Sequence, residues 1–321
     1  TVDIVRKKLS EDKKENAINS MKLLTKLPGP VLEYLIRFNL KTFRKAMENQ
    51  DQKLLNYSQP IYKETYKIYG WKNLISLNIY RSDSNADGKK PLLYFIHGGA
   101  FIGGSSYVND NFMRALADRT GYVIASVDYT LSPEAKYPEG LNDCYKGLNY
   151  LLKYASDFDI DTTQISIAGD SAGGNLAAAL ILKLAKEQIK IQNQILYYPL
   201  TDLVSLDKPS YKQQGAAFQG MKKLIFVCQR LYLKNKKDKH LPYVSPLRAN
   251  IPTEMPNTLI MVAENDGLKS DGIEYAELLE KSGHKVSCLL YENAYHAFIN
   301  DLGYSPEADD AIEETIHFIT N

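Results

Sequence analysis

The sequence predicts an α/β fold in which a mostly parallel sheet is covered on both faces by helices. Two observations lead there. Past residue 90, short apolar runs alternate with longer stretches of helical spacing, the order that places parallel strands between crossover helices. The runs are also continuously apolar, as strands buried on both faces must be. Length agrees: 321 residues suit one large α/β domain, and such domains often pass about 250 residues.

The elements follow in order. Residues 1–56 are polar with patches of helical spacing, as at Val31, Leu32, Leu35, Ile36 and 38–40. Residues 62–69 and 74–80 read as two strands joined by a turn at Gly70. Buried strands are expected at 92–96 (L-L-Y-F-I), 123–127, 165–168, 195–198, 259–263 and 286–291. Helices are expected near 108–119, 138–155, 174–188, 271–282 and 306–319. The interval between 198 and 259 is too long for one crossover. It holds a helix candidate at 221–233 and the basic run K-N-K-K-D-K-H at 234–240. The interval reads as an insertion over the C-terminal edge of the sheet, and the basic run reads as a solvated loop. No repeat or low-complexity linker divides the chain, so a single domain over 1–321 is expected, with a cap from about 1–56 and 202–245.

A formal net charge of +1 argues against a nucleic-acid surface. Cys144, Cys228 and Cys288 are far apart with no C-x-x-C pair, which fits reduced thiols in a cytoplasmic protein and gives no disulfide framework or zinc site. No apolar run approaches 18 residues, so no membrane span is expected. No metal or organic cofactor is expected either.

Three motifs could carry chemistry. G-D-S-A-G at 169–173 lies between a strand run and a helix run. A serine on such a bend sits in strained backbone, and the residues two away on each side must be small. The following helix turns its N-terminal N–H groups toward the site, which favours developing negative charge. H-G-G-A-F at 97–101 follows the strand at 92–96. Glycines there let backbone N–H groups approach an oxyanion closely, so Gly98, Gly99 and Ala100 are candidate donors, with Ala172 completing the hole. His97 reads as a structural hydrogen-bonder. A serine also needs a base, and the base an orienting acid. Of five histidines, His240 follows a lysine run, His284 sits in a turn and His317 in a helix. His296 follows the strand at 286–291, at the edge where open α/β sheets bind ligands. Asp266 likewise follows the strand at 259–263, with Glu264 and Asp271 as rivals. Ser171, Asp266 and His296 stand in the chain order expected for this serine turn.

These motifs resemble the hormone-sensitive-lipase family of α/β-hydrolases, among its bacterial carboxylesterases, over roughly residues 60–320. H-G-G-A-F resembles that family's H-G-G-G-[FW] loop, which maps the usual donors to Gly99 and Ala100. G-D-S-A-G-G-N at 169–175 matches the family's serine turn. V-D-Y-T-L-S-P-E at 127–134 resembles V-x-Y-R-L-A-P-E, with Thr130 in place of arginine. S-P-L at 245–247 and D-G-L-K-S-D at 266–271 resemble S-P-L and D-P-L-R-D, with Gly267 in place of proline. H-A-F at 296–298 stands where H-G-F is usual. The resemblance implies an α/β-hydrolase fold with a mostly parallel eight-stranded sheet and a helical cap. It implies a cofactor-free serine carboxylesterase acting on small, short-chain esters through Ser171, His296 and Asp266. A peptidase or amidase on the same scaffold, and a non-catalytic binding protein, are the rival readings. A homodimer is left open.

Overall fold

The computed structural model describes residues 2–10, 21–22, 24–48, 52–83 and 88–321, so the expected cap segment 1–56 is described only in part. Among the described residues, nine strands form one sheet: β1 (Ile4–Lys7), β2 (Ile61–Tyr69), β3 (Leu74–Ser82), β4 (Lys90–Ile96), β5 (Val123–Asp128), β6 (Ile160–Asp170), β7 (Asn193–Tyr197), β8 (Asn257–Asn265) and β9 (Val286–Tyr295). Their spatial order is β1-β9-β8-β7-β6-β4-β5-β3-β2. The β2–β3 and β3–β5 pairs are antiparallel, and every other pair is parallel.

The helices are α1 (Gly29–Phe38), α2 (Leu40–Glu48), α3 (Asp110–Thr120), α4 (Glu139–Lys153), α5 (Ala172–Lys186), the single turn α6 (Pro209–Lys212), α7 (Ala216–Tyr232), α8 (Lys269–Lys281) and α9 (Pro306–Thr320). Period-two alternation divides each central strand between two cores. Leu92, Tyr94 and Ile96 of β4 face one core, and Leu93 and Phe95 face the other. The first core takes Leu141 and Leu148 of α4, Leu180 of α5 and Tyr275 of α8. The second takes Phe112 and Leu116 of α3 with Ile312 and Ile319 of α9. Each fully buried Leu, Ile or Phe of this kind stabilises the fold by about 1.5–3 kcal/mol. Replacing one of them in β4 by a charged residue would break the layer it faces.

The sheet has one strand more than the expected eight. Residues 4–7, expected within the cap, instead pair parallel with β9, Ile4 opposite Cys288 and Lys7 opposite Tyr291. The stretch I-V-R-K is too short and too charged to carry a strand signal of its own. It is held from outside: Arg6 reaches Glu292 at 2.8 Å and Glu264 at 3.1 Å, and Lys7 reaches Asp310 at 3.2 Å. In the mid-chain insertion, α7 starts five residues earlier than the apolar spacing indicates, after Gly215 at φ 117°. Its Met221, Ile225 and Cys228 join the first core, and α1 lies against its other side, with Glu33 ion-paired to Arg230.

Candidate active site

The parallel strands β6, β8 and β9 end at one edge of the sheet, and each delivers one side chain there. β6 ends at Asp170 and α5 begins at Ala172, so Ser171 alone makes the turn. Its backbone sits at φ 54°, ψ −118°, a region that costs a non-glycine residue about 1–3 kcal/mol. Neighbouring strands offset that strain: Ser171 N–H donates to the Tyr197 carbonyl at 2.9 Å, and Leu200 N–H donates to the Ser171 carbonyl at 3.1 Å. The small neighbours are sterically required. A Cβ on Gly169 would overlap the Gly173 carbonyl, and one on Gly173 would overlap the carbonyls of Ile96 and His97.

Ser171 Oγ lies 2.9 Å from His296 Nε2. His296 Nδ1 lies 2.7 Å from Asp266 Oδ2. The imidazole is presented just after β9 ends at Tyr295, and the next residue, Ala297, turns the chain at φ 68°. Asp266 follows β8 directly and is almost fully buried. Its other oxygen, Oδ1, accepts the Leu268 N–H at 2.9 Å, which fixes the carboxylate plane. Ser171 is half-buried, so the hydroxyl stays reachable. The Tyr198 ring meets the imidazole edge to face at 4.9 Å, which limits its rotation.

The rival acids are engaged elsewhere. Glu264 pairs with Arg6 and with Lys269. Asp271 is buried, accepts the N–H groups of Thr201 and Asp202, and lies 2.9 Å from Lys208 Nζ. His284 contacts the Pro252 carbonyl, and His317 pairs with Asn321 at the chain's last helix.

The loop after β4 is where the structure corrects one donor. Gly98 N–H donates to Asp170 Oδ1 at 2.7 Å and so is not free to meet an oxyanion. The N–H groups of Gly99, Ala100 and Ala172 donate to no protein acceptor among the described residues. Gly99 and Ala100 adopt φ 119° and 58°, and the Ile102 and Gly103 N–H groups close a turn on the Gly99 carbonyl. His97 is buried. Its Nδ1 donates to the Gly98 carbonyl at 2.7 Å, and its ring stacks on Tyr129 at 4.4 Å. Burial pushes its pKa down, which keeps it a neutral strut.

Sequence reasoning missed the residues that hold this loop. Asp170 is named inside G-D-S-A-G, yet its contact to Gly98 crosses 72 residues. Burial pushes its pKa up to about 6, against the pull of the Gly98 N–H and of His296. Arg44 of α2 donates to the Ile102 carbonyl at 2.7 Å and the Ser132 carbonyl at 3.0 Å, and it clasps Glu134 with both forks. From α7, Cys228 Sγ donates to the Ala100 carbonyl at 3.4 Å and Tyr232 stacks on Phe101 at 3.9 Å. No spacing signal marks such contacts. Gly267, the departure from proline, lies under α7, where a Cβ would come within 2.7 Å of Met221 Cβ. The small residue lets the helix seat on the Asp266 turn. Among the described residues, no group of three or more His, Cys, Asp or Glu side chains is placed to hold a metal ion. Nor is any helix there long and apolar enough to cross a membrane.

Fold and geometry point to the α/β hydrolases, and the chain belongs to that family, which it matches over residues 93–300. The resemblance to its hormone-sensitive-lipase branch stands. Among curated relatives, the acetyl esterase of Salmonella schwarzengrund is 31% identical over 231 residues, covering 71% of each chain. That of Salmonella dublin is 32% identical over 234 residues, 70% of this chain and 71% of the relative. Among solved structures, an esterase of Pyrobaculum calidifontis superposes with a TM-score of 0.78 at 28% identity, over 90% of this chain and 97% of that one. An esterase of Rhizomucor miehei superposes with a TM-score of 0.80 at 26% identity, over 97% of each.

Proposed function

We propose that this carboxylic ester hydrolase cleaves short-chain acyl esters through Ser171, His296 and Asp266. One observation carries the reading: an unbroken hydrogen-bonded chain from Ser171 Oγ through the imidazole to Asp266, 2.9 and 2.7 Å long. Ser171 Oγ attacks the ester carbonyl as its proton passes to His296 Nε2. Asp266, fixed by Leu268 N–H, holds the ring with Nδ1–H inward and stabilises the imidazolium. The carbonyl oxygen becomes an oxyanion facing the N–H groups of Gly99, Ala100 and Ala172, with the N-terminus of α5 adding its positive dipole end. His296 then gives its proton to the departing alcohol. A water deprotonated by the same imidazole attacks the acyl-enzyme and frees the acid and Ser171.

The short acyl preference is supported by the naming of the Salmonella relatives as acetyl esterases. The cap is part of the same proposal. Arg44 of α2 and Cys228 and Tyr232 of α7 touch the loop that bears Gly99 and Ala100, which supports a cap over the reacting ester. A cytoplasmic location rests on Cys144, Cys228 and Cys288, which are buried and unpaired.

The test has two parts. A fluorophosphonate should label Ser171 stoichiometrically, and Ser171→Ala should lose about 10⁴–10⁶ in kcat on p-nitrophenyl acetate. Retention of activity within about tenfold of wild type in Ser171→Ala would end the proposal. A p-nitrophenyl ester series from acetate to decanoate should show kcat/KM falling with chain length. A maximum at the long end would overturn the short-chain part alone.

A further inference from the structure

The basic run at 234–240 is largely exposed, as a solvated loop should be, yet it is also ordered against its neighbours. It curls into a turn over Lys236–His240 and closes one side of a cleft of about 420 Å³ between α1 and α7. Six cationic side chains line this cleft: Arg37, Lys136, Arg230, Lys234, Lys236 and Lys239. They come from three separate stretches of chain. Among the described residues, Glu33 is the one carboxylate in the lining, and it is already shared between Arg37 at 3.1 Å and Arg230. The formal excess in the lining is five positive charges. Two further acids lie behind the wall. Glu139 is 3.9 Å from Lys234 Nζ but is held at 2.8 Å by Lys72. Asp238 caps its own turn by accepting the Asn235 N–H.

Like charges so close repel, and a folded chain gathers them only where something offsets the cost. Lys136 shows that cost: partial burial lowers its pKa, and Arg37 lowers it further. Its Nζ is steered by the Arg230 and Leu233 carbonyls, at 3.2 and 2.9 Å, which leaves donor capacity toward the cleft. The C-terminal end of α7 contributes partial negative charge, about half a unit, too little to balance five cations. Phe226 supplies an apolar floor, with the Arg230 guanidinium 5.7 Å above its ring. Guanidinium forks beside mobile ammonium groups match oxyanions that carry more than one charge. A monovalent anion would be displaced by ordinary salt, since charges here interact over about 8 Å at physiological ionic strength.

We propose that this cleft binds a small multivalent oxyanion, phosphoryl or polycarboxylate, and that α7 transmits its presence to the loop after β4. The path is short. α7 carries Arg230 into the cleft, while Cys228 and Tyr232, two residues to either side, contact Ala100 and Phe101. The Tyr232 carbonyl also accepts the Tyr137 N–H at 2.9 Å, next to Lys136. The transmission rests on the reading of Gly99 and Ala100 as oxyanion donors, whereas the binding does not.

Calorimetric titration of the full chain separates the two. Pyrophosphate and citrate are the phosphoryl and polycarboxylate arms, with chloride at matched ionic strength as the blank. Binding of either arm that Lys236→Glu weakens at least about tenfold, while Lys237→Glu weakens it less than about threefold, supports the site. Lys237 lies on the same turn outside the lining, so the two variants change net charge equally. Lys236→Gln repeats the comparison should the reversal disturb folding. No heat with either anion, or equal weakening by both reversals, overturns the site. With anion bound, a changed kcat/KM on p-nitrophenyl acetate supports the transmission. An unchanged value with the cleft saturated overturns it and leaves the site standing.

Discussion

The rim at the ends of β6, β8 and β9 and the cleft between α1 and α7 handle charge in opposite ways. At the rim each polar group has an assigned partner: Asp266 takes His296 and the Leu268 N–H, and Asp170 takes the Gly98 N–H. In the cleft, among the described residues, six cations line the wall beside one carboxylate, which pairs with two of them. The rim is built by backbone, since Ser171, Asp266 and His296 each sit one residue past a strand. The cleft is built by long, adaptable side chains from distant segments. A site of the first kind is rigid and intolerant of substitution. One of the second kind is redundant, and losing a single charge should leave basal turnover nearly unchanged.

The strongest break in that comparison is at Asp266. Asp266→Asn keeps the shape but offers the imidazole the wrong partner, so His296 no longer holds Nδ1–H inward. A fall of about 10⁴ in kcat is expected, with KM little changed. Steady-state kinetics on p-nitrophenyl acetate reads it directly. A loss below about tenfold would show that the carboxylate is dispensable and that the rim is less strictly partnered than its geometry indicates.

Next comes Gly173. Its missing Cβ lets the first turn of α5 press onto the ends of β4. In Gly173→Ala the new methyl meets the Ile96 and His97 carbonyls, which are backbone and cannot rotate away. Destabilisation of about 3 kcal/mol or more is expected, seen as a shift in the denaturant midpoint. An alanine on the solvent-facing turn at Gly283, where nothing lies within reach, would cost only the strain of its φ of 87°.

Such contacts explain what the sequence could and could not show. Ser171, Asp266 and His296 were legible because each follows an apolar strand run, and a strand's end is a local property. The central strands were legible because parallel burial leaves unbroken apolar runs. β1 was not, because I-V-R-K is held by Glu264, Glu292 and Asp310, hundreds of residues away. Gly98 read as an oxyanion donor for the same reason: nothing local reveals that Asp170 takes its N–H. The basic run at 234–240 read as a solvated loop and is largely exposed, but charge patterning of one segment could not show that it borders a cleft shared with Arg37 and Lys136.

Asp170 offers a pH test of that hidden contact. Burial holds its pKa near about 6, against about 3.9 in the unfolded chain. Between about pH 4 and 6 the native state therefore binds more protons than the unfolded one, and stability falls as pH rises through that window. Above it, the ionised carboxylate costs the native state on the order of 1–3 kcal/mol. Asp170→Asn should thus be more stable than wild type at pH 8 by about that amount, with the gap closing toward pH 4. Urea titrations at both pH values read it. A gap that widens at low pH would reverse the sign and place Asp170 among ordinary stabilising carboxylates.

The smallest effect is expected where the chain departs from its family's glycines. Ala100 and Ala297 stand where that family has glycine, and both adopt left-handed backbone, φ 58° and 68°. An alanine there carries about 1–2 kcal/mol of Cβ strain, while glycine would lose about 0.5–1 kcal/mol more entropy on folding. The balance favours glycine slightly. Ala297→Gly should raise stability by about 0.5 kcal/mol. Because it also frees the residue beside His296, it should lower kcat modestly rather than raise it. Ala100→Gly should give a similar stability gain, since its carbonyl stays tied to Cys228. If Ala297→Gly destabilised the protein, the Cβ would be packing against the rim and not merely straining it. The alanine would then belong to the partnered architecture that sets the rim apart from the cleft.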